Sequence, residues 1–214
     1  MLVIHGRATS SNVQPVVWLA AILGLDFERR DVGGAFGGTD TQEYREINPM
    51  GKIPAIEDEH VRMFESQAIL RYLAARHEAE TLWPRDEKSR ACIDQWMEWS
   101  KTAVSPLVVY KVFWQLIRTP ENVRDNKGLA AAVEELKGVM AIAEAQIARH
   151  GWLAADRMTL ADVSFAVNLY RYFTLPFQRA DLPALRGYYE RLADDHLYRE
   201  HVMVDYEPLR APGA

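Results

Sequence analysis

The sequence predicts a small α/β unit followed by an all-α unit. Over roughly the first eighty residues, short strand-like apolar runs alternate with helix-like segments. The stretch 78–85, EAETLWPR, reads as a linker with Pro84 as its breaker, and beyond it the strand signals disappear. The division drawn from these observations is 1–78, a linker over 79–86, and 87–214.

Each element has a local reason. Leu2–His5 is an apolar run before Gly6, a strand. Val16–Leu23 carries apolar residues around most of a helix and stops at Gly24. Phe27–Val32 is too short and too charged for a helix and reads as a second strand, after which Gly33, Gly34, Gly37 and Gly38 mark a connection. Thr41–Ile47 fits one or two helical turns that end before Asn48-Pro49. Ile53–Ile56 and Val61–Phe64 are short strands joined by the polar turn Asp58-Glu59-His60, and Ser66–His77 has the apolar content of a packed helix. In the second unit, Asp86 caps a helix running toward Ile117, with a bend expected at Pro106, whose ring clashes with the turn before it. Thr119-Pro120 restarts the chain, and Asn126–Arg149 is strongly helical up to Gly151. A further helix starts at Thr159 and another lies between Pro183 and Asp194.

Composition narrows the function. Hydrophobic residues make up 49% of the 214 and charged residues 26%, as in soluble globular proteins and unlike disordered or fibrous chains. Twenty-five basic against thirty acidic residues leave a net charge of −5, which argues against nucleic-acid binding through a broad basic face and against a polybasic membrane anchor. The one cysteine, Cys92, forms no internal disulfide, so nothing requires an oxidising compartment. No basic segment precedes an apolar core at the N-terminus, and no stretch approaches the roughly 18 unbroken apolar residues of a membrane span. A cytoplasmic protein that binds neither nucleic acid nor membrane is expected. Cys92 and the six histidines show no metal-ligand spacing, so no metal is expected either.

Three segments carry chemistry. The first is Asn48-Pro49-Met50-Gly51-Lys52-Ile53-Pro54, followed eleven residues later by Glu65-Ser66. Two prolines around a glycine define a rigid turn into a strand, and Ile53, preceding proline, is pushed toward an extended conformation. With a cis Ile53–Pro54 bond the ladder is interrupted, and the Ile53 N–H and C=O can face outward to pair with an extended peptide. Glu65-Ser66 falls where the next strand gives way to a helix, so the free N–H groups of that first turn and the Ser66 hydroxyl suit a carboxylate. Glu65 beside them suits an ammonium. A carboxylate and an ammonium on one carbon describe the α-amino-acid end of a peptide. Taken singly, Pro54 reads as a turn proline and Ser66 as a plain N-cap.

The second segment is Thr9-Ser10-Ser11-Asn12 before the first helix. Pro15 limits how far back that helix extends, so capping is expected at Ser11 or Asn12. That leaves Ser10 just ahead of the helix with its hydroxyl near the positive end of the dipole, able to donate to an anion. The third segment, Met158–Val163, has the capping-box layout, with Thr159 at the cap and Asp162 three residues on. It is assigned to folding of the helical unit.

These three segments, in this order and over nearly the whole chain, resemble the glutathione S-transferase family. The resemblance implies a thioredoxin-like N-terminal domain, an all-α C-terminal domain, glutathione as co-substrate and a homodimer. It implies that Ile53, before a cis Pro54, pairs by main chain with the cysteinyl part of glutathione, and that Glu65 and Ser66 bind the γ-glutamyl end. In the serine-using classes a hydroxyl at the end of the first strand–helix loop activates the thiol. Ser10 occupies that place, Ser11 is its rival, and Asn12 matches an asparagine that assists in some bacterial members. Lys52 sits where relatives place a polar residue near a glutathione carboxylate. The chain departs from several serine-type relatives at Gly38-Thr39-Asp40-Thr41, which has an acid where they carry basic residues for the glycyl carboxylate. It also lacks a cysteine before the first helix, so it has nothing there to form a mixed disulfide.

The implied mechanism is thiolate attack on a small hydrophobic electrophile. A thiol of pKa about 8.5 is only about 3% ionised at pH 7, and lowering it to about 6.5 ionises about three quarters. Because nucleophilicity falls with pKa, the net gain is roughly threefold. Ser10 would donate a hydrogen bond to sulfur and would not act as a base. The electrophile is expected against the first long helix of the all-α part, where Leu107, Tyr110, Lys111 and Trp114 fall on one i, i+3, i+4, i+7 stripe. The same stripe also reads as an ordinary core or dimer face. Alternative readings of the fold are a glutathione-dependent disulfide reductase or peroxidase, a dehalogenase or isomerase, and a non-catalytic binding domain.

Overall fold

Strand β1 (Leu2–His5) is the pivot of a four-stranded mixed sheet. It pairs in parallel with β2 (Phe27–Arg30) and antiparallel with β3 (Ala55–Glu57), which pairs antiparallel with β4 (Arg62–Phe64), giving the order β2-β1-β3-β4. The structure is a computed structural model that describes residues 1–214. The strands pair because their apolar residues alternate onto a buried face: Leu2, Ile4 and Ile56 are at most 6% exposed. Helices α1 (Gln14–Ile22) and α3 (Ser66–Arg76) pack against each other. On the opposite face lies the short α2 (Gln42–Ile47), capped by Thr41, whose hydroxyl accepts from the Tyr44 N–H at 3.2 Å. Its Tyr44 ring meets His5 of β1 edge-on.

The strands are shorter than the sequence predicts for β2 and β3. Phe27–Val32 pairs only to Arg30, and β3 begins at Ala55 because Pro54 has no N–H to give to a ladder.

This first compact unit comprises Met1–Trp83 together with His196–Val204. The linear division into 1–78 and 87–214 is therefore corrected at one point: helix α9 (His196–His201), read as part of the all-α domain, belongs with the sheet. Its Tyr198 is fully buried edge-on against Trp18 of α1, with ring centroids 5.0 Å apart. Two large aromatic surfaces removed from water outweigh proximity along the chain.

The second unit, Pro84–Asp195 with Asp205–Ala214, is helical. Helix α4 (Glu87–Trp99) is capped by Asp86, whose carboxylate accepts from the Ser89 N–H at 2.8 Å. Beyond α4 the chain runs in wider π-helical winding over Ser100–Val104 and Pro106–Arg118, so Pro106 does not end the helical run. Helix α5 (Asn126–His150) starts at the Asp125 cap and ends at Gly151, whose φ of 79° is the left-handed conformation of a helix stop. The helices α6 (Leu160–Ala166), α7 (Leu169–Thr174) and α8 (Pro183–Asp194) complete the unit, and every residue of α6 is buried. The capping box at its start is present: Asp162 accepts from the Thr159 N–H at 2.8 Å and from the Thr159 hydroxyl at 3.0 Å. It also accepts from the Leu153 N–H and the Tyr188 hydroxyl, both at 2.9 Å. No helix is long and apolar enough to cross a membrane.

Candidate active site

Three chain segments converge at one end of the sheet. His5 of β1 is paired with Ala55 of β3, and Ala55 with Phe64 of β4. The next residues outward are therefore Gly6, Pro54 and Glu65, each leading into one of the segments singled out above.

The Ile53–Pro54 peptide bond is cis. Pro54 is buried, Ile53 is half-buried, and the Ile53 main chain stands outside the strand ladder. Its orientation is set from the residue before it. The Lys52 carbonyl accepts two hydrogen bonds of 2.6 Å, from the Tyr44 hydroxyl and from the Asn48 side-chain amide. Asn48 in turn accepts from the Met50 N–H at 3.0 Å, closing the turn Asn48–Gly51. Gly51 has φ 61°, and a Cβ there would lie 2.8 Å from the Thr39 carbonyl, so only glycine fits. Burial pushes the Tyr44 phenol up to about 12, so it remains a donor across the physiological range. The Lys52 side chain is exposed.

Glu65 caps α3 with φ 71° and ψ 110°, a conformation that costs a non-glycine residue on the order of 1–3 kcal/mol. The carboxylate side chain is exposed, while Ser66, the first helical residue, is 2% exposed. Strain held at an exposed acid beside a helix N-terminus is the pattern of a residue kept for binding.

Ser10 lies 7% exposed in the loop between β1 and α1. The expectation that Ser11 or Asn12 caps α1 is corrected here. The Ser10 carbonyl already accepts from the N–H groups of Val13 and Gln14, both at 2.9 Å, and Val13 occupies the cap position with helical φ and ψ and no side-chain acceptor. Pro15 is tolerated because it sits within the first turn. The Ser10 hydroxyl accepts from the Asn12 N–H at 3.4 Å, which leaves its own proton to donate. Ser11 and Asn12 are half-buried beside it. Gly6, where this loop leaves β1, has φ 150°, and a Cβ on it would come within 2.4 Å of Val13 and 3.3 Å of the Ile53 Cβ. The serine loop and Ile53 thus abut at a point where no side chain fits.

Comparisons with known proteins identify the family. Residues 9–76 match the model of the glutathione S-transferase N-terminal domain and residues 126–191 that of the C-terminal domain. The chain belongs to the glutathione S-transferase family. It is 29% identical over 206 residues to glutathione S-transferase GstB of Escherichia coli K12, covering 95% of this chain and 99% of the relative. It is 33% identical over 169 residues to glutathione S-transferase 3 of Zea mays, covering 78% and 76% of the two chains. Among solved structures, it resembles a theta class glutathione S-transferase of Xanthomonas axonopodis pv. citri with glutathione bound, at TM-score 0.90 and 37% identity over 95% of this chain and 98% of that one. The α/β unit and the helical unit are those of a glutathione S-transferase.

The helical unit of this glutathione S-transferase does not present the four predicted electrophile residues as one stripe. Leu107 is 6% exposed and belongs to the core with Val108, Val112, Phe113, Leu116 and Ile117. Tyr110, Lys111 and Trp114 are exposed. The i, i+3, i+4, i+7 pattern assumes 3.6 residues per turn, and the wider winding over Pro106–Arg118 takes more, so that period no longer keeps all four residues on one face. Tyr110 meets Trp114 edge-on at 5.6 Å, and the Arg118 guanidinium lies 5.2 Å from the Trp114 ring centroid.

Sequence reasoning missed Tyr44, and it placed Asn48 in the turn before Ile53 without giving its side chain a role. Both hold the carbonyl next to Ile53. A buried tyrosine in a short polar helix was the nearest hint.

Proposed function

We propose that this chain conjugates glutathione to small hydrophobic electrophiles, with Ser10 donating a hydrogen bond to the thiolate. The observation that carries the reading is the meeting of three groups at one sheet end: a serine hydroxyl at the start of α1, an Ile53 main chain outside the ladder, and Glu65-Ser66 at the start of α3. In the reaction, the glutathione sulfur gives up its proton, attacks the electrophilic carbon and forms a C–S bond. The leaving group departs with its electron pair, or an activated double bond takes up the pair and a proton. Ile53 holds the cysteinyl main chain, Glu65 the glutamyl ammonium, and Ser66 with the α3 N–H groups the glutamyl carboxylate. Lys52 takes the glycyl carboxylate, since Asp40 is an acid in the place that would otherwise supply a cation. Ser11 and Asn12 flank the sulfur without activating it. Tyr110, Lys111 and Trp114 of the helical unit take the electrophile, since exposed rings suit an electron-poor aromatic. The proposal includes a homodimer working in the cytoplasm.

The test is turnover of a chloronitrobenzene, a hydroperoxide and a hydroxyalkyl disulfide with glutathione, for wild type and Ser10→Ala. Conjugation of the chloronitrobenzene should dominate, and Ser10→Ala should lower kcat while the KM for glutathione stays within about twofold, because the lost bond strengthens only with the thiolate. Failure of calorimetry to detect glutathione binding, or turnover of the disulfide alone, overturns the reading.

A further inference from the structure

The loop that carries Ser10 is held by a set of hydrogen bonds. Its Ala8 lines a cleft of about 330 Å³ together with Val13, Gln14, Phe27 and Arg29, among others of the first unit. The partners of its backbone carbonyls contribute to how rigidly it is held. Four of the five carbonyls from Gly6 to Ser10 accept a hydrogen bond. The Arg7 carbonyl accepts from the Ser10 N–H at 3.1 Å, which makes Arg7–Ser10 a tight turn, and the Ser10 carbonyl accepts from the first turn of α1. Two more are held by side chains from outside the loop. The Ala8 carbonyl accepts from the Gln14 side-chain amide at 3.2 Å, and the Gly6 carbonyl from the Arg29 guanidinium at 3.0 Å.

The Ala8 carbonyl belongs to the central peptide of the Arg7–Ser10 turn, the peptide that a turn can rotate while its ends stay in place. Gln14 is 1% exposed, an unusual place for an amide on a helix, and from there its amide donates to the Ala8 carbonyl. Arg29 is itself steadied on β2 by an ion pair with Asp31.

We propose that Gln14 and Arg29 are positioning residues for thiol activation: they fix the Gly6–Ser10 loop so that the Ser10 hydroxyl points at the sulfur. Neither residue touches the substrate in this account. The proposal rests on Ser10 as the thiol donor, and the experiment separates the two claims. The thiol of bound glutathione is titrated by its ultraviolet thiolate absorbance in wild type, Ser10→Ala, Gln14→Met, Arg29→Met and Arg29→Lys. Glutathione affinity by calorimetry and a thermal melt accompany each variant. Gln14→Met keeps the side-chain length and removes the donor. Arg29→Met removes the donor and the charge with a shorter apolar side chain at a half-buried strand position, so the test survives if the Gln14 variant fails to fold. One lost hydrogen bond of positioning corresponds to an upward shift of about 0.5–1 pH unit in the titration midpoint. Both methionine variants should show that shift with glutathione affinity changed by less than about twofold, and Arg29→Lys, which keeps a donor, should restore the wild-type midpoint. If Ser10→Ala raises the midpoint and the folded methionine variants do not, the positioning claim is wrong and the role of Ser10 stands. If none of the variants moves the midpoint, the role of Ser10 fails and the positioning claim fails with it.

Discussion

Replacing Asp162 by asparagine should destabilise the helical unit by about 3 kcal/mol, a figure that follows from counting donors. The Asp162 carboxylate accepts from four: the N–H groups of Leu153 and Thr159 and the hydroxyls of Thr159 and Tyr188. Asp162, Thr159 and Leu153 are fully buried, and Tyr188 is 1% exposed. An amide offers one accepting oxygen and one donating nitrogen. Whichever side the nitrogen takes, the hydroxyl there can turn and accept, but one backbone N–H is left facing another donor without water. That orphan costs about 1–3 kcal/mol, and the surviving bonds lose their charge assistance, about another 1 kcal/mol. Burial raises the Asp162 carboxyl above its ordinary pKa against the pull of the four donors, so the neutral amide recovers part of the desolvation cost. Asp162→Ala recovers it too but orphans both N–H groups, and should cost more, about 4 kcal/mol. In a thermal melt the asparagine variant should lose roughly 6–12 °C for a chain of this length. Glutathione affinity of the folded variants should be unchanged, since the predicted glutathione residues all lie in the other unit. A melt within about 2 °C of wild type, or an alanine variant more stable than the asparagine one, would refute the donor count.

Two more outcomes follow from the first unit. Tyr44→Phe removes one of the two hydrogen bonds to the Lys52 carbonyl, so the Ile53 main chain should loosen: the KM for glutathione should rise a few-fold, for about 1 kcal/mol, with kcat little changed, and an unchanged KM in steady-state kinetics would contradict this. Asp58 should contribute acid sensitivity. Burial pushes its carboxyl up, but the Tyr72 hydroxyl and the N–H groups of His60 and Val61 outweigh that and hold it below its ordinary value. The unfolded chain therefore binds the proton more readily. The stability Asp58 contributes is present above about pH 4 and is lost as pH falls through the lower folded value. Urea midpoints at neutral and acid pH should fall less steeply on acidification for Asp58→Asn than for wild type, and equal slopes would count against it.

What the sequence made legible was the chemistry whose cause is local. Pro54, Glu65 and Ser66 could be placed because a proline, a strand end and a helix start each leave a mark within a few residues. The box at Thr159 and Asp162 was readable for the same reason. The errors lie where the cause is distant or the geometry departs from the standard period. Capping of α1 was assigned to Ser11 or Asn12, yet the turn from Ser10 supplies the acceptor through its backbone, which side-chain type does not reveal. Leu107 was grouped with Tyr110, Lys111 and Trp114 on an ordinary helical period that the Pro106–Arg118 winding does not keep. Helix α9 was assigned by chain order, whereas Tyr198 is claimed by Trp18 from the opposite end of the sequence. Tyr44, Gln14 and Arg29 act on carbonyls outside their own elements, and their roles are visible only once those segments are adjacent.

The most direct measurement is a crystal structure of the protein with glutathione bound, reading the distance from the sulfur to the Ser10 hydroxyl, the Ser11 hydroxyl and the Asn12 amide. The account predicts the sulfur within hydrogen-bonding distance of the Ser10 oxygen and farther from the other two, with the cysteinyl main chain paired to Ile53. A sulfur resting on Ser11 or Asn12, or a tripeptide lying away from Ile53, would contradict it.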